Sequence, residues 1–98
     1  MPAKKKSTRD GYVYLHAPDS PMRNNKGYVA EHRLVMAERL GRPLVKCENV
    51  HHINGVKDDN RPENLELWNT YQPAGQRVPD KVAWAEEILR LYAPDRLA

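Results

Sequence analysis

Residues 44–68, LVKCENVHHINGVKDDNRPENLELW, constrain the fold more than any other part of the chain. Two stretches of extended character, LVKCENVHHI and LELW, flank an Asn54-Gly55 turn signal and the polar run VKDDNRPEN. Asn and Gly tolerate the left-handed conformations of tight turns, and the alternation over Leu65–Trp68 suits a short strand with one packed face. The pattern predicts strand, polar loop, strand. At the end of the first strand stand His51 and His52, half of the four histidines. Consecutive strand side chains point to opposite faces, so two rings serving one site requires the backbone to leave regular geometry at 51–52.

The flanking segments complete a mixed pattern. YVYL at 12–15 has the aromatic and β-branched residues of a short strand. HAPDSPMRNNKG reads as a wide connection that returns to Tyr28 and Val29, which can pair with that strand. AEHRLVMAERLGRP, residues 30–43, reads as a helix of about three turns with Leu34, Val35 and Leu40 near one face, stopped by Gly41 and Pro43. Val78, Val82, Ala85, Leu89 and Tyr92 recur at spacings of three and four, with Trp84 and Ile88 beside them. They predict a closing helix, with Pro79 and Asp80 suited to its first turn.

With 98 residues the chain is expected to form one small domain over 11–98 with one modest core. Phenylalanine is absent, so Trp68, Trp84 and the five tyrosines are the large anchors, with packing expected for both tryptophans. Cys47 is the single cysteine, which excludes an intrachain disulfide and a paired-Cys zinc site. No run approaches the roughly 18 apolar residues of a membrane span, and MPAKKKSTRD has no apolar segment of a secretory signal, so cytoplasm is the expected location. The net charge of +3 resides wholly in residues 1–10, where four basic residues face one acidic one; the remainder holds twelve of each sign. That segment reads as a flexible basic tail suited to nucleic-acid phosphates.

Adjacent histidines suit hydrolysis of a phosphodiester. The reaction needs an activated water, neutralisation of charge on the phosphate and help for the departing oxygen. Imidazole titrates near physiological pH and can take a proton from water, while a divalent ion supplies the other two functions. One ring could bind the ion and its neighbour act as base; oxygen ligands completing the shell would favour Mg2+ or Mn2+.

The run HHINGVKDDNRPENLELW, preceded by EHRLVMAERLGRPL, resembles an HNH endonuclease of the kind common in phages and mobile elements, over roughly residues 27–92. The resemblance implies an α+β fold: a ββα-metal core at about 47–92, preceded by a helix and an N-terminal short β-hairpin. It makes His52 the general base, His51 a metal ligand and Asn64 the middle Asn that braces the loop and orients the base. Asn60 becomes a loop-stabilising residue, and Arg33 a residue that approaches the phosphate. The family places a His or Asn in the first turns of the final helix as second metal ligand; neither occurs after Asn69. Gln76 is the candidate, with Gln72, Asn69 and Asp80 as alternatives. Lys57, Arg61 and Arg77 flank the site and are DNA-contact candidates, whereas His32 reads as structural and Glu48 as a support for His51 or a solvent-facing residue.

These readings converge on a metal-dependent DNA endonuclease with one divalent ion (Mg2+ or Mn2+). One site per chain implies nicking. The alternative is a catalytically degenerate HNH fold that binds DNA or serves packaging. DNA is the implied partner, together with phage packaging or other DNA-processing proteins, and the chain is expected to be a monomer or weak dimer without membrane association.

Overall fold

The computed structural model describes residues 6–70 and 75–97. It contains two helices and two small antiparallel sheets, the α+β class expected. The first sheet has the order β1 (Lys6–Arg9), β2 (Tyr12–His16), β3 (Tyr28–Ala30). Asp10 and Gly11, with φ of 55° and 87°, join β1 to β2. Two successive positive φ values give the two-residue turn whose twist matches the paired strands. Residues 6–9, expected within a flexible tail, are therefore strand, and the expected hairpin has three strands.

The connection from β2 to β3 is held by Asn24, whose Oδ1 accepts from the backbone N–H groups of Lys26 and Tyr28. β3 runs directly into α1 (Glu31–Leu40). Gly41, at φ 75°, ends that helix by donating its N–H to the carbonyls of Ala37 and Glu38, and Arg42 N–H reaches back to Ala37, the closed helix end for which glycine is suited.

The second sheet is the predicted hairpin, β4 (Glu48–His52) with β5 (Leu65–Asn69), in a register that sets His52 opposite Leu65 and His51 opposite Glu66. β4 is shorter than the extended run expected from residue 44, because Val45 turns to donate its N–H to the Glu48 carboxylate. The strand keeps its alternation: Glu48 and Val50 are buried, Asn49 and His51 exposed. The expected break at 51–52 does not occur; irregularity begins after His52, where Gly55 takes φ 77°.

α1 lies across this hairpin. Met36, Val50 and Leu65 form the buried apolar cluster, with Val35, Leu44 and Leu67 packed against it. At about 1.5–3 kcal/mol per fully buried side chain, a cluster this small leaves a large role to polar anchoring. Its centre is Glu48, wholly buried. Arg42 donates to both carboxylate oxygens at 2.8 and 2.9 Å, Val45 N–H to Oε1, and the Tyr92 hydroxyl to Oε2 at 2.8 Å. Tyr92 closes α2 (Val78–Tyr92), so this carboxylate ties the helix end to the hairpin. Trp84, Ile88 and Leu89 are half-buried, while Val78 and Val82 are exposed at 76% and 52%. The N-terminal half of the expected apolar stripe is thus not its packed part.

Candidate functional site

A cleft of about 460 Å3 opens between β2, the start of α1 and the end of β4, bordered by Tyr12, His32, Arg33, His51, His52 and Lys57. Four parts of the chain meet here because β3 delivers α1 beside the end of the second hairpin.

His52, the last residue of β4, points inward. Its ring centroid lies 4.8 Å from that of His32 and 6.1 Å from that of Tyr12, and His32 stacks on Tyr12 at 5.5 Å. His52 Nε2 meets Asn60 Oδ1 at 2.6 Å, and Asn60 Nδ2 donates to Glu31 Oε1 at 2.8 Å. A chain of polar contacts therefore runs from the first residue of α1 through the polar loop to the proposed base. Asn60, expected to stabilise the loop, touches the His52 ring directly.

His32, expected to be structural, stands beside His52. Burial, then the neighbouring His52 and Arg33, push its pKa down to about 4, and its buried Nδ1 has no hydrogen-bond partner among the described residues. It is a neutral ring at physiological pH. The sequence signal was present in the EHR triplet opening α1: Glu31, His32 and Arg33 all reach the cleft or its supports. What the triplet could not reveal was the direction in which the helix points.

His51 leaves the opposite face of β4. Its ring stacks almost parallel on Trp68, with centroids 4.3 Å apart and an interplanar angle of 7°. Trp68 is 49% exposed and donates its indole N–H to Glu66, so it forms a wall behind His51 where core packing had been expected. Both histidines still border the same cleft.

Asn64 is buried and hydrogen-bonded within the loop. Its Oδ1 accepts from Asn54 N–H at 3.2 Å, and its Nδ2 donates to Asn54 Oδ1 at 3.0 Å and the Asp59 carbonyl at 2.8 Å. Asp59 receives Arg61 and Asn54, which hold its carboxyl well below the usual carboxylate range. With its backbone N–H on the Val56 carbonyl, it acts as a turn residue.

Of the four cations singled out, two reach the cleft. Arg33 borders it while one Nη donates to the Glu48 carbonyl at 3.3 Å. Lys57 sits 5.1 Å from the Tyr12 ring centroid and donates to the Asp10 carbonyl. Arg61 pairs with Asp59 and Glu63, and Arg77 with Asp80, both exposed and away from the cleft lining.

Gln76, the expected second metal ligand, borders a different cavity, with Val45, Cys47, Trp84 and Ile88. Asn69 and Asp80 line that cavity too, while Asn69 donates to Tyr92 and Cys47 and Asp80 holds Arg77. Gln72 lies outside the described residues. Among the described residues no carboxylate or thiolate borders the cleft, and no group of three His, Cys, Asp or Glu could hold a metal ion. The described residues thus offer His51 as one imidazole donor and do not by themselves complete a shell. Glu48, considered as a support for His51, is instead the buried anchor of Arg42.

A family model described as HNH endonuclease matches residues 29–72. The matched span includes His32, Arg33, His51, His52, Asn60 and Asn64, and excludes Tyr12 and Gln76. Neither the curated proteins nor the solved structures give a significant match.

Proposed function

From the match of residues 29–72 to an HNH endonuclease family model, we propose that the chain hydrolyses DNA phosphodiester bonds with His52 as general base, cutting one strand per site. The observation that carries this reading is the placement of His52. It ends β4 facing a cleft and is held at Nε2 by Asn60, with two cations, Arg33 and Lys57, on the same rim.

A phosphate seated between Arg33 and Lys57 has its charge partly neutralised. The guanidinium offers N–H donors beyond the one given to Glu48. Water attacks phosphorus, its proton passes to the His52 ring, and the ester P–O bond opposite the incoming oxygen breaks, the departing oxygen taking up a proton from solvent water. His32 and Tyr12 wall the base from bulk solvent. A divalent ion, when bound, would supply further neutralisation of the charge that develops on the phosphate, and His51 would contribute an imidazole to holding it.

Incubation of supercoiled plasmid with protein and Mg2+, Mn2+, Ni2+, Zn2+ or EDTA tests the reading. Metal-dependent conversion to open circles, lost in His52→Ala, is expected. The incomplete donor set among the described residues favours one second reading, a fold that binds DNA without cutting it. Retained DNA binding with no nicking by wild type under any of these metals would establish that alternative.

A further inference from the structure

The contacts of Asn60 have a consequence for which nitrogen of His52 does the chemistry. A side-chain amide has one accepting end and one donating end, and which way it lies is fixed by its partners. One partner of Asn60 is the Glu31 carboxylate, 2.8 Å away. An ionised carboxylate only accepts, so the amide NH2 must face Glu31. The amide oxygen must then face His52, and it stands 2.6 Å from Nε2. A carbonyl oxygen also only accepts, so Nε2 must carry a hydrogen. In the neutral ring this leaves the lone pair on Nδ1.

We infer that Glu31 is a positioning residue which, through Asn60, locks His52 in the tautomer with its proton on Nε2, so that Nδ1 is the atom that takes the proton from water. This inference rests on the reading of His52 as base. Glu31 touches neither water nor phosphate in this scheme; it orders the amide, and the amide orders the ring. The opposite tautomer would set the Nε2 lone pair against the carbonyl oxygen at 2.6 Å, and turning the amide to relieve that would set its oxygen against the carboxylate.

The scheme makes Glu31→Gln informative. A glutamine amide can accept from Asn60 or donate to it, so both orientations of Asn60, and both His52 tautomers, become populated. Glu31→Lys can only donate, which turns the amide over and places an NH2 against Nε2, favouring the tautomer with its proton on Nδ1. If only one tautomer is competent, kcat for nicking follows its population: about two-fold lower in Glu31→Gln for an even mixture, and roughly ten-fold lower or more in Glu31→Lys, within the range a general base contributes. KM should hold in Glu31→Gln.

Long-range 1H–15N correlation spectra of the full chain, at a pH where the rings are neutral and with the His52 signals identified by their loss in His52→Gln, read the tautomer directly. The expected result is a wild-type His52 with its proton on Nε2, a mixture in Glu31→Gln, and reversal in Glu31→Lys. A wild-type ring protonated on Nδ1 overturns the inference, and so does an unchanged tautomer with unchanged kcat in Glu31→Gln. If a variant fails to fold, the wild-type spectrum alone decides. Should wild type not nick DNA at all, the nuclease reading fails, while the spectrum still reports whether Glu31 and Asn60 set the ring.

Discussion

Replacing Glu48 by Gln probes the polar anchor on which the small core depends. Arg42 first, then the Val45 N–H and the Tyr92 hydroxyl, hold the Glu48 carboxyl down at about 2 from an ordinary 4.5. At about 1.4 kcal/mol per pKa unit, that difference corresponds to about 3 kcal/mol of stability. Because the folded value is the lower one, the contribution is complete above pH 4.5 and disappears as pH falls through about 2. A chain of this size has about 5–15 kcal/mol in total, so the anchor is a substantial part. Glu48→Gln keeps an acceptor for Val45 or Tyr92 but leaves the Arg42 guanidinium, itself 28% exposed, without its counter-charge. Urea unfolding at pH 7 should show the variant about 2–4 kcal/mol less stable, and the gap should shrink as pH is lowered towards 2. A gap under about 1 kcal/mol at pH 7, or one that stays constant from pH 7 to 2, would refute the assignment of the carboxylate as the anchor.

Other perturbations separate the remaining residues. His32 has its pKa lowered from 6.5 to about 4, so below pH 6.5 the unfolded chain takes a proton that the folded one refuses, and stability falls across that window. His32→Leu should flatten the decline of the thermal midpoint between pH 6.5 and 4, and parallel curves would contradict this. Lys57→Ala and Arg33→Ala should each weaken DNA binding and reduce the slope of log K against log salt by about 0.9. Arg61→Ala and Arg77→Ala should leave that slope unchanged, being ion-paired outside the cleft; equal effects from all four would dissolve the distinction. Gln76→Ala should leave the metal titration of nicking unaltered, and a shifted titration would return Gln76 to the metal shell.

The elements were legible in the sequence because their signals are local. The closing helix runs over Val78–Tyr92 as its periodicity and Pro79 require, and the hairpin pairs around Asn54-Gly55. The resemblance singles out Asn64 as the residue that braces the loop, and its side-chain amide reaches Asn54 and the Asp59 carbonyl. What escaped is non-local. Glu31 and Asn60 are separated by 29 residues and meet only because β3 hands the chain to α1 at one angle. His51 and Trp68 become neighbours through the register of two strands, so an aromatic expected in the core lies half-exposed. Lys6–Arg9 is strongly charged and looks like a tail, yet Asp10-Gly11 folds it back as a hairpin. Buried Glu48 reads as an ordinary surface residue until the turn after Pro43 brings Arg42 onto it.

The site's supports are spread over the chain: Tyr12 comes from β2, Glu31 from α1, His52 from β4 and Asn60 from the loop, and Lys57 reaches 47 residues back to the Asp10 carbonyl. Such contacts form late, since long loops must close before they are rewarded. Neither hairpin alone brings His52, Asn60 and Glu31 together. The arrangement around His52 is therefore complete only once both sheets and α1 have packed together, so local secondary structure alone does not build the cleft.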